Sequence, residues 1–195
     1  QGQYTPLSVQ TINNLGIDCS GLVYYTLTQL GYSTSGFSWN NPVPVDTDHW
    51  LTVNDNCTIT YDGKTSKVEV EKKNIKTTDR PYWECADGSV ITAGSVVVAQ
   101  NPGGEDHAWI YMGEFDSRND VISYLRSIGV SEKLINSKTV GDGKGAGGKH
   151  WRIESSGSEG VVINNKTDGK TATAMNMSAF RITNNDVKFE ITKVI

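Results

Sequence analysis

Between Ser20 and Leu30 apolar side chains recur at Val23, Leu27 and Leu30, with Leu22 and Thr26 flanking them. That three-to-four spacing predicts a helix buried on one face, and Gly31 marks its end. After an aromatic, proline-containing loop through Phe37, Trp39, Pro42 and Pro44, the period changes to two. Cys57 to Tyr61 and Lys67 to Val70 alternate, and Asp62-Gly63 between them predicts a hairpin. Val96 to Ala99 forms a short apolar strand, Pro102-Gly103-Gly104 a turn, and His107 to Met112 a second strand ending at Gly113. Ser117 to Ile128 returns to helical spacing, with Val121, Ile122, Leu125 and Ile128 on one face and Gly129 after it; a shorter helix is expected at Glu132 to Ser137. Gly141 to Gly148, five glycines in eight residues, reads as a mobile loop. Trp151 to Glu154 and Val161 to Ile163 are further strands, and Val187, Phe189 and Ile191 alternate near the end. One helix group followed by a run of antiparallel strands is the α+β class.

At 195 residues the chain suits one domain, 1–195, able to bury a core without staples. The net charge of -4 gives no electrostatic footprint for nucleic acid or an anionic membrane, and no apolar run approaches the length of a membrane span. The chain opens on Gln1 without a basic and apolar leader, so it is expected to be a mature or excised fragment. Its Asn-, Thr-, Ser- and Gly-rich composition suits a secreted bacterial protein, and a monomer is the default. Asn56-Cys57-Thr58, Asn165-Lys166-Thr167 and Asn176-Met177-Ser178 match the glycosylation pattern, but no sugar is expected in a bacterial protein.

The three cysteines divide into one and two. Cys19 stands where a turn of small residues enters the first helix. There the unpaired N–H groups and the positive end of the helix dipole favour thiolate over thiol. Cys57 and Cys85 share the polar middle segment; a disulfide between them would close a loop whose cross-link stabilises by roughly 3–4 kcal/mol. The alternative is two unrelated reduced thiols. Neither has a close-spaced second ligand, which argues against zinc. A cysteine nucleophile needs a base and a group to orient that base. Of the three histidines, His107 is the best base, since it begins a strand directly after a Gly-rich turn, whereas His49 and His150 read as solvated or locally bonded. Glu154, in a strand able to pair beside that of His107, is the candidate orienting group, expected to accept from Nδ1; its alternative is a solvent-facing strand glutamate.

Asp18-Cys19-Ser20-Gly21-Leu22-Val23, Ala93-Gly94-Ser95-Val96-Val97-Val98 and His107-Ala108-Trp109-Ile110-Tyr111-Met112-Gly113 resemble the three ordered blocks of the NlpC-type papain-like cysteine peptidases. Ile153-Glu154-Ser155-Ser156 resembles the block carrying that family's third polar residue, and Ala179-Phe180-Arg181-Ile182 its closing strand. The resemblance implies a papain-like fold, with the cysteine on the first core helix against a small antiparallel sheet. It also implies hydrolysis of peptide bonds in peptidoglycan stem peptides, typically after D-glutamate, by Cys19, His107 and Glu154, without metal or organic cofactor. Matched onto the family's block, Asp18 and Ser20 shape the substrate side; Asp18 is a candidate for a free stem-peptide amine or equally a helix N-cap. Tyr4 stands at a roughly suitable distance for the family's substrate-binding tyrosine but lacks its Gly-Gly, and Trp109 occupies a usually small position, implying a differently shaped pocket. Glu154 stands where many members have histidine. Stretches near 49–93 and 115–149 exceed the compact pattern and are expected to be insertions, walling the cleft or merely decorating it. An N-acetylmuramoyl-L-alanine amidase and a catalytically idle wall-binding module are the alternative functions; a circularly permuted acyltransferase is disfavoured because the cysteine precedes the histidine.

Overall fold

A computed structural model describes Cys19, Leu22, Val23 and Thr26, and residues 58–61, 64–67, 70–75, 82–100, 107–135, 139–156, 160–166 and 176–182. Cys19, Leu22, Val23 and Thr26 are helical, and Leu22, Val23 and Thr26 are buried, as the apolar spacing requires. Thr26 Oγ1 donates to the Leu22 carbonyl at 2.8 Å, which satisfies its hydroxyl inside the core.

Among the described residues, eight strands form two antiparallel sheets. β1 (Thr58–Tyr61) pairs with β2 (Lys64–Lys67), Tyr61 opposite Lys64. The hairpin thus follows Asp62-Gly63 directly, and the expected second strand at Lys67–Val70 is corrected. Its alternation straddles the end of β2 and the start of β3 (Val70–Asn74), which belongs to the other sheet. That six-stranded sheet adds β4 (Val96–Gln100), β5 (His107–Glu114), β6 (His150–Ser156), β7 (Gly160–Asn164) and β8 (Asn176–Ile182) in the order β3-β8-β4-β5-β6-β7. The molecule is α+β. The stretch 49–93 is not simply an excursion, since it supplies edge strand β3.

β4 and β5 are apolar on successive residues because both their faces are covered. On one face Val97, Ala99, Trp109, Tyr111, Met177 and Ala179 pack with Tyr82, Cys85 and Ile91 from the segment between β3 and β4. On the other, Val96, Val98, Ala108, Ile110, Ile153 and Ile163 are buried. Burying each such large aliphatic or aromatic side chain contributes about 1.5–3 kcal/mol. Cys85 is a buried free thiol in the first cluster, so the expected disulfide to Cys57 is not made. Its side chain serves as a small hydrophobe among Ile75, Tyr82 and Ile91. Cys57 lies outside the described residues.

Helix α1 (Arg118–Ser127) begins where Ser117 Oγ accepts from Asp120 N at 3.2 Å, and it buries Val121, Ile122 and Leu125. Gly129, at φ 86°, follows its C-cap, the left-handed position only glycine adopts cheaply. Helix α2 (Glu132–Ile135) is short. No described helix is long and apolar enough to cross a membrane.

The glycine-rich stretch is pinned rather than mobile. Asn165, 2% exposed, donates through Nδ2 to the carbonyls of Gly143 (3.0 Å) and Gly148 (2.6 Å). Its Oδ1 accepts from Gly145 N (2.9 Å), and its backbone carbonyl from Gly147 N (2.7 Å). The amide in the Asn165-Lys166-Thr167 pattern is therefore committed to the loop.

Candidate active site

Pairing places five polar side chains on one face of the large sheet. Side chains alternate along β5, so His107, Trp109 and Tyr111 share a face. Glu154 lies opposite Trp109, Arg152 opposite Tyr111, and Asn164 opposite Arg152, so β6 and β7 add these three to it. Glu154 reaches His107 diagonally across the ladder. His107 Nε2 and Glu154 Oε2 are 2.7 Å apart, with 23% and 7% of the two side chains exposed.

Three donors converge on this carboxylate. Asn164 Nδ2 donates to Oε1 at 2.6 Å, while Arg152 Nη2, 2.9 Å away, shares Oε2 with His107. Burial by itself would raise the Glu154 pKa. The His107 hydrogen bond, the Arg152 charge and the Asn164 amide outweigh it and pull the carboxyl down from 4.5 to about 2. Glu154 is consequently an anion and only accepts, so His107 Nε2 carries the proton in that bond. The partner nitrogen is Nε2, not the expected Nδ1. Neutral His107 then presents Nδ1 as its basic atom.

Trp109, which the resemblance places at the substrate pocket, lies beside the His107–Glu154 pair. Only 2% exposed, its ring lies 5.4 Å from that of His107, meets Tyr82 edge-on at 6.1 Å and carries Arg152 over its face. It packs among the pair's supports.

A second polar group adjoins the first. The Tyr111 hydroxyl lies 2.7 Å from His150 Nδ1, and the His150 ring stacks on Trp83 at 3.9 Å. Tyr111, Trp83 and His150 border a small hollow that Trp109 and Arg152 also line. A bulge between Tyr111 and Gly113 sets Glu114 opposite His150. Burial lowers the His150 pKa against the pull of Glu114, so the ring is neutral and accepts the Tyr111 proton at Nδ1. Burial, followed by the Glu114 charge, pushes Tyr111 well above its usual range.

A lowered histidine pKa opposes protonation in the folded chain alone. As pH falls below the ordinary value of 6.5, the unfolded chain takes up a proton that the folded chain resists, and stability declines. His150→Phe keeps a stacking ring and removes the titration, so it should flatten the stability slope between about pH 7.5 and 5.5 in urea unfolding. A slope equal to that of the parent would refute this assignment.

Cys19 is helical, half-buried and in no disulfide. Tyr4, Asp18, Ser20 and His49 lie outside the described residues. Among the described residues, no three His, Cys, Asp or Glu side chains gather as a metal site. Arg152 and Asn164 are the site residues that sequence reasoning missed. The only available signal for Arg152 was its position two residues before Glu154, on the same strand face. Compared with known proteins, the chain matches no family model, no curated protein and no solved structure.

Proposed function

We propose that the chain is a papain-like cysteine peptidase of the NlpC type, a secreted or surface-delivered hydrolase of peptidoglycan stem peptides. The observation that carries this reading is the His107–Glu154 pair, largely buried and 2.7 Å apart, contributed by the two strands whose sequence blocks resemble the family's. Cys19 is the nucleophile and His107 the proton carrier. The Cys19 thiolate attacks the scissile carbonyl carbon, and imidazolium Nδ1–H passes its proton to the leaving amine as the C–N bond breaks. Water then adds to the thioester, giving its proton back to Nδ1, and the acid departs with the thiolate restored. The Cys19 backbone N–H is the oxyanion donor, consistent with a place at a helix start. Glu154 holds the ring with Nε2 protonated and stabilises the imidazolium. Asp18, Ser20 and Tyr4 are the substrate-side residues in this reading, with stem peptides as the partner.

The test is digestion of purified peptidoglycan by the parent chain and by Cys19→Ala, with released fragments identified by mass. Fragments cut inside the stem peptide by the parent only are the expected result. Cleavage between glycan and peptide would make the enzyme an amidase, and silence from both chains would overturn the reading in favour of a binding module.

A further inference from the structure

Oxygen Oε2 of Glu154 takes two bonds, one from His107 Nε2 at 2.7 Å and one from Arg152 Nη2 at 2.9 Å. Arg152 is 6% exposed, and its guanidinium carbon lies 4.8 Å from the centre of the Trp109 ring, over its face. The ring below it is the one 5.4 Å from His107. A planar guanidinium can lie over an aromatic face while its edge donates to a carboxylate; an ammonium group has no such plane. We propose that Arg152 is the positioning residue of this site, clamping the Glu154 carboxylate against His107 and setting how firmly the imidazole holds its proton.

The proposal deepens the peptidase reading and rests on it for its catalytic meaning. Facing Glu154 among the described residues are His107 from β5, Arg152 from β6 and Asn164 from β7. Arg152 is the fixed positive charge of the set. It competes with His107 for one oxygen and repels a proton on the neighbouring ring, so it keeps His107 from becoming a permanent imidazolium locked to Glu154. Without that charge, the state in which His107 is neutral and Glu154 anionic loses its support, and the pair retains its last proton to higher pH. This holds wherever in the pair the proton resides.

The experiment is NMR titration of the His107 ring in the Cys19→Ala chain, with and without Arg152→Gln; His107→Gln identifies the signal against His49 and His150. The thiol is then absent from the titration, and no substrate is involved. Removing a close opposite charge from a carboxylate shifts its titration by roughly 1–3 pH units. The pair's last proton should accordingly leave at least about one unit higher in the Arg152→Gln chain. An unchanged midpoint overturns the proposal. In the chain that keeps Cys19, the same substitution should lower kcat on peptidoglycan with KM little changed, and move the alkaline limb of the pH profile upward with the NMR midpoint, since the imidazolium is the form that protonates the leaving amine.

The two readings fail separately. If the parent chain cuts nothing while the His107 midpoint still moves, the peptidase reading falls and the role of Arg152 in setting His107 stands. Should Arg152→Gln not fold, the unsubstituted chain decides. The Arg152 Nη protons should be resolved, slow to exchange and shifted upfield by the Trp109 ring; averaged, freely exchanging signals overturn the clamp.

Discussion

Replacing Glu154 with alanine should cost about 3–5 kcal/mol of folding stability, the loss that follows when one partner of a buried ion pair is removed. For a chain of this size that lowers the thermal midpoint by on the order of 10 °C. The reason is local: the change strips the carboxylate from a buried arginine and from the amide of Asn164. Glu154→Gln is no gentle control, because all three groups around the carboxylate donate, and the amide nitrogen of a glutamine turns a donor toward another donor. It should cost about 1–3 kcal/mol, less than alanine and well above zero. The paired change Arg152→Met with Glu154→Leu should recover most of the loss, since a well-packed apolar pair often replaces a buried ion pair at little cost. Urea unfolding of the four chains near neutral pH measures the series, and a loss under about 1 kcal/mol in Glu154→Ala would contradict the burial and pairing described. The acid response carries the same sign. With the folded carboxyl held near 2 and its ordinary value at 4.5, its contribution is complete above pH 4.5 and lost as pH falls toward 2. Glu154→Ala should lack that acid-dependent portion.

The second large effect is expected at Gly145. A methyl group there would fall 2.6 Å from Asn165 Oδ1 and closer still to the Asn165 backbone carbonyl, and backbone cannot swing aside. To admit it the loop must leave Asn165, giving up the four hydrogen bonds that tie Gly143, Gly145, Gly147 and Gly148 to that residue. At about 0.5–1.5 kcal/mol net for each bond, Gly145→Ala should destabilise by roughly 2–6 kcal/mol. Gly148 provides the contrast: at φ 61°, with nothing within 4 Å of the point a methyl group would occupy, Gly148→Ala meets only backbone strain, about 1–2 kcal/mol. Equal losses from the two substitutions, measured by thermal unfolding, would show that conformational preference and not contact governs this loop.

The long apolar periods in this chain were readable because burial on both faces leaves a continuous signature. Val96 to Ala99 and the run after His107 follow from it, while α1 was readable from the opposite pattern, a single buried stripe of Val121, Ile122 and Leu125. Strand β3 was hidden: Glu71, Lys72 and Lys73 sit on a sheet edge, where charge guards against further pairing and erases the alternation. The His107–Glu154 pairing was legible from strand adjacency alone, but the partner nitrogen was not, because a ring's orientation depends on neighbours. Arg152 and Asn164 were invisible for a related reason. A polar strand residue reads as solvent-facing, and here three donors are buried around one acceptor. The glycine loop read as mobile because its anchor, Asn165, lies 20 residues from Gly145, and glycine content reports backbone freedom and not whatever occupies the space beside it.

The order of strands in the large sheet also dictates an order of assembly. β4, β5, β6 and β7 are neighbours both in strand order along the chain and in space; short connections join β4 to β5 and β6 to β7, while β5 and β6 meet across the stretch that holds α1, α2 and the glycine loop. β8 must then travel back to the free side of β4, and β3 has no place in the sheet until β8 is there. Until residues 176–182 are in place, the Val-rich strand β4 lacks the partner that covers its other edge. That interval is when the chain is most exposed to pairing with a copy of itself.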